Sequence, residues 1–359
     1  MVTINEEKSC FEKAKEAAPR ILEMIVLYSF TAFYSVLVTL DLIYQRVFKG
    51  QQVCHKEIHQ RPDVLENWEH HYVQLNDIRM HYVQSGSDDK PLMVLIHGFP
   101  EFWYSWRFQL KYFSSQYRVV AIDQRGYNES DRPSKVADYD VRLLAADIDQ
   151  LIKKLGHKKA IVAGHDWGAL VAWHVALTYP QSVERLVILN VPHPAVAKKN
   201  MRSNLKQFLA SWYIFFFQAP ILPEFVVSSN DYKMLDTMMR GRKGGIRLHR
   251  ENFGEEEVEC WKYVFSQQET LGAITGPINF YRAALRYPKE VTFNDFVKPP
   301  TLIVWGDADP FLIKEGAQQS VELCENGRVA YVEGASHWVQ QDDPETVNRL
   351  IEQFLEERL

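Results

Sequence analysis

Gly164-His165-Asp166-Trp167-Gly168-Ala169 is the stretch on which the fold turns. Ala160-Ile161-Val162-Ala163 before it reads as a short buried strand, and Leu170 to Leu177 after it has the apolar content of a helix packed on a sheet. Small residues stand two before Asp166 (Gly164) and two and three after it (Gly168, Ala169). That spacing is a nucleophile elbow, a strained strand-to-helix turn that lifts one side chain out and needs small neighbours. Taken alone, Gly-X-Asp-X-Gly is also an ordinary turn with a helix N-cap aspartate. What sets this elbow apart is a carboxylate where the motif usually carries a serine. An aspartate is ionised near neutral pH and attacks a saturated electrophilic carbon directly. Its product is an ester of the aspartate itself, which water must then hydrolyse. The elbow therefore points to alkyl transfer followed by ester hydrolysis, and away from esterase or protease chemistry.

Working outward, the flanks have the rhythm of an α/β protein. Upstream lie a hairpin around Asn76-Asp77, a strand at Leu92–Ile96 running into His97-Gly98-Phe99-Pro100, and a strand at Arg118–Ile122. Asp123 and Arg125 read as structural polar partners at a strand end. Helical apolar spacing over Val141 to Leu155 leads to the elbow, and Val187-Ile188-Leu189 follows it. A mostly parallel sheet with helices on both faces is expected. From about 195 to 293 the alternation stops and the chain turns helical and aromatic, as for an inserted lid. Alternation resumes with Thr301–Trp305, a helix near Lys314–Cys324, a strand at Arg328–Val332 and a helix from about Pro344. Core segments 70–194 and 294–359 thus flank the lid.

Two loops beyond those later strands carry chemistry. Gly306-Asp307-Ala308-Asp309-Pro310 offers two carboxylates, and Ser336-His337-Trp338 a histidine. Nucleophile, acid, histidine is the chain order of an α/β-hydrolase, and open α/β sheets gather their sites at this edge. His337 is the expected general base for water, with Asp307 or Asp309 orienting it. Asn190, at another position where an acid can stand, carries no charge. The backbone N–H groups of Phe99 and Trp167 are the expected oxyanion hole.

Composition narrows the rest. The 359 residues are 46% hydrophobic and 24% charged, with a net charge of −5 that gives no case for nucleic-acid binding. Four cysteines (Cys10, Cys54, Cys260, Cys324) form neither a disulfide framework nor a zinc pattern, so no metal is expected. Residues 1–20 read as a charged tail. Ile21 to Tyr44 is nearly all apolar, interrupted by Glu23, Asp41 and small hydroxyl residues. At about 1.5 Å per residue it reaches roughly 36 Å, enough to cross a hydrocarbon core of about 30 Å. The run is too long for a signal-peptide core and no cleavage site follows. We expect a single transmembrane anchor over 21–45 and a linker over 46–69. Basic residues flank both ends evenly, so charge does not set the orientation.

His97-Gly98-Phe99-Pro100, Gly164-His165-Asp166-Trp167-Gly168, Trp305-Gly306-Asp307-Ala308-Asp309 and Ser336-His337-Trp338 together resemble the α/β-hydrolase-fold epoxide hydrolases. The resemblance runs over about 70–359 and, with the anchor, favours the membrane-anchored type represented by epoxide hydrolases 4 and 3. It implies an α/β-hydrolase fold with a helical lid, no cofactor, and Asp309 as the acid. It implies two lid tyrosines, matched by Tyr281 in Ile278-Asn279-Phe280-Tyr281-Arg282 and by Tyr213 ahead of Phe217-Gln218-Ala219-Pro220. An opening epoxide yields an alkoxide, and a phenol with a pKa near 10 can donate to it while staying protonated at rest. Phe99, Pro100, Trp167 and Trp338 are then expected beside a small lipophilic epoxide. The resemblance also suggests an endoplasmic reticulum membrane with the catalytic domain in the cytosol. A haloalkane dehalogenase shares the aspartate elbow, but its halide needs no acid and its oxyanion loop commonly has Asn where Phe99 stands. A catalytically silent membrane-bound binding protein of the same fold would have lost one of these groups.

Overall fold

The computed structural model describes residues 10–50, 57, 59–267 and 272–357, with side chains from Ile21 onward. Eight strands form one sheet: β1 (Glu69–Gln74), β2 (Arg79–Ser85), β3 (Leu92–Ile96), β4 (Arg118–Ile122), β5 (Ala160–His165), β6 (Val183–Leu189), β7 (Thr301–Gly306) and β8 (Gly327–Val332). Their spatial order is β1-β2-β4-β3-β5-β6-β7-β8. The pairs β1–β2 and β2–β4 are antiparallel, and every later pair is parallel. β3, β4, β5 and β7 are buried along their whole length, which is why they read as unbroken apolar runs with no alternation.

The order explains where the site lies. After β3 the chain steps to one side for β4, then crosses to the other side for β5. A crevice opens at the carboxyl ends of β3 and β5, the switch point of the sheet. The loop His97–Pro100 and the elbow face each other across it. The helix Val141–Lys154 that precedes β5 is capped by Asp140, whose side chain accepts from the N–H of Arg142.

Between β6 and β7 the chain is helical: Pro194–Ser203, Leu205–Ala210, Trp212–Phe216, Leu222–Arg240, Glu255–Ser266 and Gly272–Arg286. The aromatic clusters of this segment form the roof of the crevice. Asp342 ties it to the core, its Oδ1 accepting from the N–H of Arg247 (2.8 Å) and Leu248 (2.7 Å).

The amino-terminal boundaries differ from those expected. One helix runs from Cys10 to Phe48, so it takes in part of the charged tail and extends past 45. Ala, Glu and Lys are strong helix formers, so the helix has no reason to stop where hydrophobicity does. Its Ile21–Phe48 part is long and apolar enough to cross a membrane. Residues 1–9 of the expected tail and Cys54 in the linker lie outside the described residues. Cys260 and Cys324 are free thiols.

Candidate active site

Asp166 stands at φ 49°, ψ −121°, a left-handed backbone that no aspartate adopts without being held there. The surrounding glycines permit it. A Cβ on Gly164 would sit 2.3 Å from the carbonyl oxygen of Gly168, and one on Gly168 2.0 Å from that of Ile96. A Cβ on Gly98 would come within 2.4 Å of the Asp166 Cβ. The oxyanion loop and the elbow therefore approach closely because three glycines leave the room. Trp167 begins the helix Trp167–Thr178 with Asp166 as its N-cap residue, but the carboxylate makes no capping bond and turns to the oxyanion loop and His337 instead.

Phe99 donates its N–H to Asp166 Oδ1 at 2.8 Å. His337 Nε2 lies 3.4 Å from Asp166 Oδ2, and His337 Nδ1 lies 2.6 Å from Asp309 Oδ2. Asp309 also accepts from Asn190 Nδ2 (2.8 Å) and from the N–H groups of Phe311 (2.7 Å) and Leu312 (3.1 Å). Asp307 instead accepts from the Gly334 N–H at 2.7 Å and stays away from the imidazole. Of the three side chains in line, Asp166 is 16% exposed against 4% for His337 and 1% for Asp309. Asp166 is the one of the three open to a ligand.

Charge within the crevice is set by burial working against these contacts. Burial alone would raise the Asp166 carboxyl, but the His337 hydrogen bond and charge, then His165 and the Phe99 N–H, hold it below the usual carboxylate range. Burial would lower His337. The Asp309 charge and the hydrogen bonds to both aspartates outweigh it and raise the imidazole well above its ordinary value. Facing Asp166 are the rings of Tyr281 and Tyr213, 5.9 Å apart between centroids. Desolvation first, then the nearby Asp166 charge, pushes both phenols well above their usual range, so both remain proton donors. Tyr281 packs edge-on to Trp167 (4.8 Å) and Phe99 (5.3 Å), and Tyr213 packs on Phe217 (6.0 Å) and Phe311 (6.3 Å).

Asp166, His337, Asp309, Tyr213, Tyr281, Phe99 and Trp167 are thus brought to one place by loops of the core and helices of the lid. Trp338 is not placed to touch a substrate. It is 1% exposed, its indole N–H donates to the lid carbonyls of Met238 (3.1 Å) and Gly244 (2.9 Å), and its ring backs that of His337. A residue following the histidine on a tight loop is carried behind it rather than beside it. The Pro100 carbonyl accepts from Trp261 Nε1 at 2.7 Å, tying the oxyanion loop to the lid.

Sequence reasoning missed the group that holds these loops together. Glu101, fully buried, accepts from the Gly98 N–H (2.9 Å), His165 Nδ1 (2.7 Å), Gln340 Nε2 (3.1 Å) and Gln341 Nε2 (2.9 Å). His165 Nε2 in turn donates to the backbone oxygen of His337 at 2.8 Å. One carboxylate therefore sets the oxyanion loop, the elbow and the histidine loop relative to each other. The one signal is a lone charge ahead of the aromatic run Phe102-Trp103-Tyr104-Ser105-Trp106, which has to be paired if that run carries it inside. Asn190 carries no charge, yet it bonds the Asp309 carboxylate and accepts from the Gly306 N–H at 3.0 Å.

An acid–imidazole cluster outside the crevice, His70, His81 and Glu129, brings ligand atoms within 4.8 Å of one another. It is internally satisfied. Arg61 donates to Glu129 (2.8 Å), His70 Nδ1 meets His81 Nε2 (2.9 Å), and His81 Nδ1 meets Asp123 (2.6 Å). A guanidinium already fills the place of a cation.

The alpha/beta hydrolase fold family matches residues 91–344. Epoxide hydrolase 2 of Caenorhabditis elegans is 46% identical to this chain over 90% of it and 90% of its own length. Human epoxide hydrolase 4 is 43% identical, over 80% of this chain and 79% of its own. Among solved structures, a Bacillus megaterium epoxide hydrolase in complex with an inhibitor superposes with a TM-score of 0.69 at 29% identity, covering 80% of this chain and all of that one.

Proposed function

This chain belongs to the alpha/beta hydrolase fold family and, within it, to the epoxide hydrolases, and from that premise we propose that it converts lipophilic epoxides to vicinal diols through an ester on Asp166. Asp166 Oδ2, the oxygen not held by the Phe99 N–H, attacks an epoxide carbon. The C–O bond of the ring breaks as the ester bond forms. Tyr213 and Tyr281 hydrogen-bond the leaving oxygen and supply its proton. The two phenols are what an epoxide requires and a halide does not, which favours this chemistry over dehalogenation.

Ester formation then arms the second step. It removes the Asp166 charge, one of the influences that keep His337 protonated. The imidazole then gives up its proton, which replaces the one the phenol lost to the alkoxide, and can act as base, with Asp309 fixing its orientation. It takes a proton from a water that adds to the Asp166 carbonyl carbon. The resulting oxyanion is stabilised by the N–H groups of Phe99 and Trp167. Collapse expels the diol and restores the carboxylate. No metal or organic cofactor enters this scheme.

The apolar helix Ile21–Phe48 supports a single-pass membrane protein whose substrate, such as an epoxidised fatty acid, arrives from the bilayer. The family resemblance is the ground on which we propose an endoplasmic reticulum membrane with the catalytic domain in the cytosol. Protease protection on sealed microsomes tests this: catalytic-domain fragments shielded from external protease would reverse the orientation.

The observation that carries the mechanism is the line Asp309–His337–Asp166 with two phenols opposite. Covalent trapping tests it. The full chain in detergent is mixed briefly with excess lipid epoxide, quenched in acid and digested. An adduct on the peptide bearing Asp166, absent in Asp166→Ala and followed by diol, is expected. An adduct from a chloroalkane alone would move the activity to dehalogenation. Neither adduct nor diol across a broad epoxide panel would leave a binding protein.

A further inference from the structure

The helix Trp212–Phe216 carries Tyr213 and is only five residues long. A helix of that length has no stability of its own and takes its position from what packs on it. Residues three apart share one of its faces, and the next residue points elsewhere. Tyr213 looks inward to Tyr281, Phe217 and Phe311. Trp212 and Phe215 look outward, and what they meet is the amino-terminal helix. Phe30 lies 5.2 Å from Phe215 and 5.5 Å from Phe208 between ring centroids, and Tyr34 lies 5.9 Å from Trp212. Thr31, buried in this seam, has its hydroxyl oxygen 3.0 Å from the Phe215 carbonyl and 2.9 Å from that of Leu27 in its own helix, so its one proton is shared between them.

Leu27, Phe30, Thr31, Tyr34 and Val38 form one helical stripe turned to the protein. Val36 (58% exposed) and Leu40 (57%) lie off that stripe and keep their apolar surface open. The helix thus has two faces: one clasps the lid, the other is free for lipid, and a helix that crosses the bilayer in this arrangement carries the lid's exposed Leu205 and Leu209 into the membrane with it.

We propose that the membrane helix is a positioning element of the active site: its Phe30–Thr31–Tyr34 stripe clamps the helix 212–216 from behind and thereby sets the Tyr213 phenol against the epoxide oxygen. This rests on the assignment of Tyr213 as a donor to that oxygen. Tyr213 acts when the ring opens and has no part in ester hydrolysis, so the clamp affects the first step alone. A helix that served only to tether the enzyme would affect neither step on a substrate dissolved in water.

The test is rapid acid quench of the full chain in detergent micelles with a water-soluble epoxide, following formation and decay of the Asp166 ester. The combined variant Phe30→Ala with Thr31→Val is expected to slow ester formation about tenfold, the scale of a small misplacement of a reacting group, and to leave ester hydrolysis unchanged. Val36→Ala and Leu40→Ala are expected to change neither step. In a Tyr213→Phe background the stripe variant is expected to add less than about twofold, because the group it positions is gone. Equal loss in both steps, the full loss persisting beside Tyr213→Phe, or no loss at all would overturn the clamp. If Tyr213→Phe itself leaves ester formation unchanged, the assignment of Tyr213 fails and the clamp falls with it. If Tyr213→Phe slows it and the stripe variant does not, the clamp alone fails.

Discussion

Asp166 and Tyr213 face the same small space, yet they are held there by different means. Asp166 sits on strained backbone with glycines pressed around it, and its partners are fixed by hydrogen bonds from several loops at once. Glu101, Asp309 and Asp342 are each buried or nearly so and each spend their oxygens on those loops. Tyr213 and Tyr281 are held by ring contacts, and Tyr213 rides on a helix that leans on the amino-terminal helix. A buried charged network has one arrangement that satisfies it, and every other is costly. Ring pairs prefer edge-on geometry, but each is worth only about 0.5–1.5 kcal/mol beyond its burial, so a small shift costs less there. The core half of the crevice should therefore fail abruptly when altered, and the lid half by degrees.

The largest losses are expected in the core. Asp166→Ala removes the nucleophile and should reduce diol formation by about 10⁴-fold or more, since no other group can open the covalent route. Diol yield by chromatography checks it, and residual turnover near the wild-type rate would mean that water attacks the epoxide directly. His337→Gln should separate the two steps. Ester formation continues, hydrolysis slows by about 10³-fold, and one equivalent of adduct accumulates on Asp166. Intact-protein mass spectrometry reads the adduct. A variant that is inactive and yet carries none would show that the imidazole is needed before the ester forms.

Smaller and graded losses are expected from the lid. Tyr281→Phe and Tyr213→Phe keep the rings and lose only the donor, so each should slow ester formation by about 10- to 100-fold. Ester hydrolysis should be untouched in both. The double variant should lose more than either, because one remaining phenol still serves the alkoxide in each single variant. Identical losses in the single and double variants would mean that the two phenols work as one unit, in the manner of the core.

The same contrast governs what could be read from sequence. The parallel strands, the elbow and the order Asp166, Asp309, His337 follow from local pattern, because strained turns demand glycine and buried strands demand apolar runs. Asp307 and Asp309 could not be told apart by pattern alone; which one faces His337 depends on Asn190 and Gly334, partners more than a hundred residues away and in the next loop. Glu101 was legible as a charge in an aromatic setting, but its partners were not. The resemblance puts Trp338 beside the substrate, and the tertiary fold turns its indole to the lid. The clasp of Phe30 and Thr31 on Phe215 has no local signature, since an apolar run reads the same whichever side meets lipid.

The smallest expected effect is the pH dependence of ester formation, which should be nearly absent. The first step needs Asp166 ionised and the phenols protonated. His337 holds the carboxyl below its usual range, and burial holds the phenols above theirs, so both conditions persist as pH is raised or lowered moderately. Between about pH 6 and 9 the rate should vary less than about twofold. The second step needs a neutral His337, whose pKa is raised in the resting enzyme by Asp309 and by Asp166 together. Once Asp166 is an ester its charge and hydrogen bond are lost. The imidazole pKa then falls, and hydrolysis rises with pH by up to about tenfold per unit until the proton is gone. Pre-steady-state rates across that range check both limbs. A first step that rises with pH alongside the second would place the titrating imidazole in ring opening as well. The core's charged network would then govern the lid's chemistry too, and the division between the two halves would not hold.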